Sequence, residues 1–196
     1  MKSQKSINAL AECAILVALS AVLSLVKIWE MPLGGSVTPL SMSPVCLVSF
    51  RHGLKWGFTA SFANSLIQLV FGITMSGLLG WGLKPVMLMG CILFDYIIAF
   101  TILGICGIFR KKGTAGILCG LFMAIFLRFI SHFLSGYIIF RNLAQWDIFG
   151  SSFENAPILY SICYNAMYLL PELIITGIAV VILVKVPSTR KKIFNV

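Results

Sequence analysis

Five ionisable side chains lie within long apolar stretches of this 196-residue chain, and their types make them the first candidates for chemistry. They are Glu12, Asp95, Arg128, His132 and Glu172. A charged group at the centre of a lipid bilayer costs at least about 2.5–3.5 kcal/mol, so such groups usually bind a ligand, pair with one another or relay protons. We therefore expect a polar site inside the protein.

Three polar residues are expected at a common depth. If the apolar stretches form helices, Asp95 lies about 15 Å below the outer end of its helix, and His132 and Asn165 lie about 12 Å below theirs. Five aromatic residues surround that level: Tyr137, Phe140, Tyr160, Tyr164 and Tyr168. A carboxylate among aromatic rings in a partly desolvated cavity suits an organic cation, which gains ion pairing and cation–π attraction.

Each ionisable residue also has a structural interpretation. Asp95 can pair with Arg128 and hold two helices together, and His132 can be a hydrogen-bonded packing residue. Glu172 can be the partner of Arg128 instead. Glu12 lies less than two turns from the end of its span and can reach the interface. The common depth of the polar groups favours a binding site.

The composition is that of a membrane protein. Apolar residues make up 59% of the chain, charged residues only 11%, and the mean hydropathy is +1.00. Soluble domains carry about 25% charged residues, so this chain has too few to cover a water-exposed surface. We expect a single all-α domain over residues 1–196, an integral bundle of six transmembrane helices, with spans at residues 7–28, 37–50, 54–72, 85–109, 114–140 and 157–186.

The second of these spans is the weakest. It is short and contains Pro39 and Pro44, so we expect it to be broken or strongly distorted. Within the last span, Pro171 removes the amide that would bond the Met167 carbonyl, which predicts a kink or a free carbonyl there.

The basic residues predict the orientation. Eleven of them, and no acids, fall before the first span, in alternate loops and after the last span. The opposite loops hold only three basic residues beside three acids. The positive-inside rule therefore places both termini in the cytoplasm of a multi-pass cell-membrane protein. This clustering between apolar runs also makes nucleic acid an improbable partner for a chain of net charge +9.

Several classes of chemistry lack their motifs. The sequence contains no GxxxxGK[ST] phosphate loop, no HExxH and no GxSxG, and its six cysteines occur singly within apolar runs. We expect no enzyme activity, no cofactor and no metal. An intramembrane enzyme using His132 with Asp95 or Glu172 is the rival interpretation, but the sequence supplies no evident nucleophile.

The first span carries a small-residue step at Ala14 and Ala18. Small residues let another helix approach closely in lipid, either within the bundle or from a partner protein.

Four segments resemble the thiamine-specific substrate-binding (S) components of energy-coupling factor (ECF) transporters. They are MPLGGSVTPLSMSPVCLVSFRHG (31–53), LFDYIIAF (93–100), LRFISHFLSG (127–136) and YSICYNAMYLLPE (160–172). The resemblance implies a six-helix receptor in the bacterial plasma membrane that captures thiamine from outside. A separate transmembrane coupling protein and two ATPase subunits would then power its transport.

The resemblance also implies roles for individual residues. Asp95 would face the thiazolium ring, Phe140 would stack on the ligand, and His132 and Gly136 would line the pocket. Tyr160 and Asn165 would recognise the ligand through polar contacts, and together with His132 they would hold its pyrimidine ring by hydrogen bonds.

Three further residues extend the predicted sites. Tyr164 belongs to the same aromatic set, and Trp146 or Trp81 would supply a tryptophan that this family carries near its ligand. Ala14 and Ala18 are similar to the surface that docks on the coupling protein. The remaining alternatives are an S component for another vitamin or precursor, such as hydroxymethylpyrimidine or riboflavin, and a stand-alone facilitator.

Overall fold

The computed structural model describes residues 2–31, 34–140, 147–148, 151–152 and 156–194. The fold is all-α, as predicted. Its helices are α1 (Lys2–Leu25), α2 (Ser43–His52), α3 (Leu54–Thr74), α4 (Pro85–Gly107), α5 (Gly113–Ile138), α6 (Pro157–Lys185) and α7 (Pro187–Phe194).

Two short 3₁₀-helices, Leu78–Gly80 and Arg110–Lys112, and two small antiparallel hairpins complete the described part of the chain. Strand β1 (Trp29–Glu30) pairs with β2 (Ser36–Val37), and β3 (Asp147–Ile148) pairs with β4 (Ser151–Ser152). The first hairpin follows α1, and the second precedes α6. They therefore lie in two of the connections that the sequence places on the outer side.

Five helices, α1, α3, α4, α5 and α6, are long and apolar enough to cross a bilayer. They overlap five of the predicted spans. Their outward faces carry large apolar side chains in the open, such as Ile15 (67% exposed), Val86 (80%) and Ile174 (61%). Such surfaces are stable against lipid and unfavourable in water.

The segment predicted as the second span, 37–50, is helical only from Ser43 onward. Residue Val37 belongs to β2, and Leu40 adopts a positive φ of 66°. Pro44 lies in the first turn of α2, where its missing amide hydrogen costs nothing. With ten residues, α2 is about 15 Å long, half the thickness of the hydrocarbon core. The count of six spans stays a prediction.

The apolar core surrounds α2. Val45, Cys46 and Phe50 are at most 1% exposed and pack among residues of α4, α5 and α6, while the equally buried Val48 packs against α1 and α3. The short helix is thus enclosed by the longer helices.

Helix α4 is irregular at the level of the predicted site. Regular α-helix over Pro85–Cys91 widens to a π-helix over Ile92–Ile98, returns to α-helix over Ala99–Thr101 and tightens to a 3₁₀-helix over Ile102–Gly107. π-helical turns are rare and occur frequently at functional sites. Asp95 lies in the middle of the widened segment.

Helices α3 and α4 cross closely at two glycines. A Cβ on Gly104 would lie 2.7 Å from the backbone of Phe58, and a Cβ on Gly57 would lie 2.8 Å from the carbonyl oxygen of Gly104. No side chain fits between these backbones, which is the usual basis of close helix packing in membranes.

We predict that Gly104→Ala lowers the free energy of unfolding by about 1–3 kcal/mol, because the added methyl group must push α3 away from α4. Thermal unfolding in detergent measures the effect. The matched control is Gly177→Ala on α6, where nothing lies within 4 Å of the added carbon. Equal stability of Gly104→Ala and wild-type protein would show that the crossing is not tight.

Candidate ligand-binding site

A cavity of about 330 Å³ lies inside the bundle, toward the end where α1 and α3 stop and α6 begins. Its wall is formed by α1, the segment between α1 and α2, and helices α3 to α6. The volume is at the lower end of the range for small-molecule pockets, about 300–1,000 Å³. The cavity therefore has room for one small organic ligand.

Seven of the eight predicted binding residues line this cavity. They are Asp95, His132, Gly136, Phe140, Tyr160, Tyr164 and Asn165. The eighth, Trp146, lies outside the described residues. Asp95, His132 and Asn165, which the sequence places at a similar depth on three helices, thus line one cavity in the structure. The depth can be calculated because the rise per residue is nearly the same in each helix.

Asp95 is held by neutral donors. Its Oδ1 accepts a hydrogen bond from His132 Nδ1 at 2.9 Å, and its Oδ2 accepts one from the hydroxyl of Ser135. Its side chain is 18% exposed. Within the described part of the chain, neither a lysine nor an arginine forms an ion pair with Asp95. The carboxylate is oriented, yet its charge is not compensated.

The protonation of His132 follows from its two partners. Arg128 donates from Nε to His132 Nε2 at 3.3 Å, so Nε2 must be the acceptor and the proton must be on Nδ1, facing Asp95. The imidazole is therefore neutral. We expected this histidine to hydrogen bond a ligand, but in this arrangement both ring nitrogens bind protein. His132 instead lines the cavity with both ring nitrogens already bonded.

Arg128 pairs with Glu172. Its Nη1 lies 3.6 Å from Glu172 Oε2, and its guanidinium carbon lies 4.3 Å from the centre of the Phe100 ring. The other oxygen of Glu172 accepts hydrogen bonds from the amide and hydroxyl of Thr38, at 3.1 and 2.5 Å. Of the two alternatives left open by the sequence, Glu172 is thus the counterion of Arg128, and Asp95 is not.

The charges that line the cavity leave one negative charge in excess. Lys27 pairs with Glu30, and Arg128 pairs with Glu172. Asp95 is the remaining ionisable side chain on the described wall whose charge has no opposite partner. This wall suits a ligand that carries a single positive charge.

Aromatic rings cover much of the rest of the wall. Trp81 and Phe140 meet edge to face with their ring centres 6.0 Å apart, and the ring centres of Tyr160 and Tyr164 are 5.7 Å apart. All four residues line the cavity. Trp81 is the tryptophan that the described structure places there, and its Nε1 donates to the Ser76 carbonyl at 3.0 Å. Rings in such clusters offer their faces to a cation or a planar heterocycle.

Asn165 is hydrogen bonded within α6, and Gly136 lets α5 pack closely against α6. Asn165 donates from Nδ2 to the Ser161 carbonyl at 2.8 Å, and its Oδ1 accepts a bond from the Tyr168 hydroxyl at 2.8 Å. A Cβ on Gly136 would collide with the Ser161 hydroxyl. Both residues therefore shape the wall, and Tyr168 orients the amide.

Several lining residues were not predicted. Gln68 on α3 donates to the Ser24 hydroxyl on α1 at 3.0 Å, and both residues line the cavity, as does Tyr96 beside Asp95. The sequence carries a signal for Gln68, since a lone glutamine interrupts an apolar span. The sequence carries no such signal for Tyr96, because regular helical spacing does not describe the π-helical segment in which this residue lies.

Ala14 and Ala18 lie on the outer surface of the bundle. Both are exposed, while the neighbouring residues Cys13 and Val17, which face the bundle, are at most 8% exposed. The alanine step is therefore not used for packing within the described bundle.

Comparison with known proteins gives three similarities. Residues 10–192 match the family described as "Thiamine transporter protein". The chain is 32% identical to the thiamine transporter ThiT of Bacillus subtilis over 93% of each sequence. Its fold is similar to a solved structure of ThiT from Listeria monocytogenes, with a TM-score of 0.73 at 22% identity, covering 97% of this chain and 98% of that one.

We predict that Arg128→Met destabilises the protein by about 3 kcal/mol or more, because it leaves the Glu172 carboxylate buried without a cation. Adding Glu172→Gln should restore part of this loss, so that the double variant is more stable than the sum of the single changes implies. Thermal unfolding of the four proteins completes the cycle. Additive effects would mean that Arg128 and Glu172 do not interact.

Proposed function

The chain belongs to the thiamine transporter protein family, and on this premise we propose that it is the thiamine-binding subunit of an ATP-driven uptake system. Family membership confirms that it is a membrane transport protein and not an enzyme. It also agrees with a multi-pass location in a bacterial cell membrane, given the five long apolar helices.

The observation that carries the proposal is the uncompensated charge of Asp95. Thiamine contains a quaternary thiazolium nitrogen, which keeps its positive charge at every pH. A carboxylate in a partly desolvated cavity attracts such a cation more strongly than the same group in water. Because His132 and Ser135 already orient the carboxylate, little reorganisation is needed when the ligand binds.

The remaining wall residues suit the two rings of thiamine. Phe140, Trp81 and Tyr160 offer faces for stacking, which adds cation–π attraction at the thiazolium ring. Tyr164 and Asn165 provide polar atoms at the α6 wall for the aminopyrimidine. Gly136 shapes this wall by letting Ser161 of α6 approach α5, where a Cβ would collide with the Ser161 hydroxyl. His132 would contact the ligand with its ring, and its Nδ1 orients the Asp95 carboxylate by a hydrogen bond.

We propose that the other parts of the uptake system are separate proteins. The sequence holds no phosphate loop, so energy from ATP must come from other subunits. A transmembrane coupling protein would contact the exposed alanine step at Ala14 and Ala18, where small side chains permit close helix approach. Two ATPase subunits would drive that coupling protein. The chain itself would act as one transmembrane domain with six spans.

An S component for another vitamin or precursor is the alternative in the same class. Hydroxymethylpyrimidine and riboflavin carry no permanent positive charge, so the excess negative charge of this wall favours thiamine over both. Titration of the purified protein with the three compounds, followed through tryptophan fluorescence, separates these candidates, since Trp81 lies on the cavity wall.

We predict that Asp95→Asn weakens thiamine binding at least tenfold, about 1.4 kcal/mol, because the isosteric amide keeps the shape of the site but removes its charge. Fluorescence titration measures the dissociation constant. The matched control is Glu12→Gln, which removes an equal charge outside the cavity and should bind thiamine normally. Unchanged affinity of Asp95→Asn would rule out the counterion role and leave family membership unaffected.

We predict that Ala18→Trp leaves thiamine binding unchanged but abolishes ATP-driven uptake, because a large ring prevents close approach of a partner helix. Uptake is measured in proteoliposomes that contain the complete transporter. Leu19→Trp serves as the control, since Leu19 is 45% exposed on another part of the α1 surface. Uptake by this chain alone, without coupling protein or ATPases, would establish a stand-alone facilitator instead.

A further inference from the structure

The end of the bundle opposite the cavity carries a concentration of basic side chains. Six are exposed: Lys55, Lys111, Lys112, Lys185, Arg190 and Lys191. Among the described residues, the acid at this end is Glu12, which already pairs with Arg51. The positive charge of this surface, which we call the basic end, is therefore not balanced by the protein.

One part of the basic end continues directly from a lipid-facing surface. On α6, Ile174, Ile178 and Ile182 are 57–61% exposed. At 100° per residue, these three residues and Lys185 fall within an arc of about 80° on one face. From Ile174 to Lys185 the helix rises about 16 Å, which is close to the hydrocarbon thickness of one leaflet.

Helix α7 adds charge beside this face. Ile193 is only 5% exposed and belongs to the same apolar cluster as Val180 and Val184 of α6. Arg190 and Lys191 of the same short helix are exposed. The buried isoleucine thus fixes α7 against the bundle, where the end of α6 meets the level of the lipid headgroups.

We infer that this surface binds an anionic phospholipid. Its acyl chain lies along the isoleucines of α6, and its phosphate group lies between Lys185 and Arg190. The continuous apolar face favours a lipid over a soluble phosphate compound, because free phosphate gains nothing from the isoleucines. Each basic side chain near an anionic membrane surface strengthens the association by about fivefold.

The test compares the whole protein in nanodiscs of phosphatidylglycerol and of phosphatidylcholine. Native mass spectrometry counts the lipids that stay bound, and thermal unfolding measures their effect on stability. Wild-type protein should retain phosphatidylglycerol at least fivefold better and unfold at a higher temperature with it. The double variant Lys185→Gln/Arg190→Gln should lose this preference and should unfold at the wild-type temperature in phosphatidylcholine.

A matched double variant, Lys111→Gln/Lys112→Gln, removes the same charge from the same end but from residues that do not belong to the isoleucine face of α6. It should keep the preference. Equal losses in both double variants would show a diffuse effect of surface charge and overturn the specific site. Equal retention of the two lipids by wild-type protein, or stabilisation by inorganic phosphate in phosphatidylcholine nanodiscs, would also overturn it.

Discussion

The structure depends on how a lipid-embedded bundle accommodates charge. A carboxylate away from water must be compensated by a cation, by hydrogen bonds or by both. Glu172 has Arg128 and Thr38, and this group ties the segment before α2 to α5 and α6. Asp95 has hydrogen bonds alone. Since the two carboxylates line one cavity, the difference between their partners decides where a positively charged ligand is stabilised.

Much of this arrangement follows from the sequence. The apolar runs are long enough to locate five helices, and the rise per residue is enough to bring Asp95, His132 and Asn165 to one depth. The distortion expected in residues 37–50 is confirmed, but hydropathy alone does not show that residues 37–42 turn and that α2 begins only at Ser43. Hydropathy indicates whether a segment is more stable in lipid or in water. It does not record the backbone conformation within it.

The side-chain partners are harder to predict. Sequence spacing puts Arg128 and His132 one turn apart on α5, but it does not say whether the arginine faces Asp95 or Glu172 on neighbouring helices. That choice depends on helix rotation and on the π-helical segment of α4, for which no sequence signal was available. The same irregularity explains why Tyr96 was not predicted as a residue of the cavity wall. Pairing across helices is a tertiary property, so local patterns leave alternatives open.

The partners of the acidic residues distinguish Asp95 from the other carboxylates of the chain. Four of the six acidic residues have described side chains, and three of these lie beside a cation: Glu12 beside Arg51, Glu30 beside Lys27, and Glu172 beside Arg128. In a chain with fifteen lysines and arginines, such pairing is the expected outcome. Asp95 departs from it at the place where aromatic rings and an open cavity meet. If Asp95 had only a structural role, a lysine or arginine beside its carboxylate would stabilise the protein better. A receptor for a cationic ligand must leave the place beside this carboxylate free.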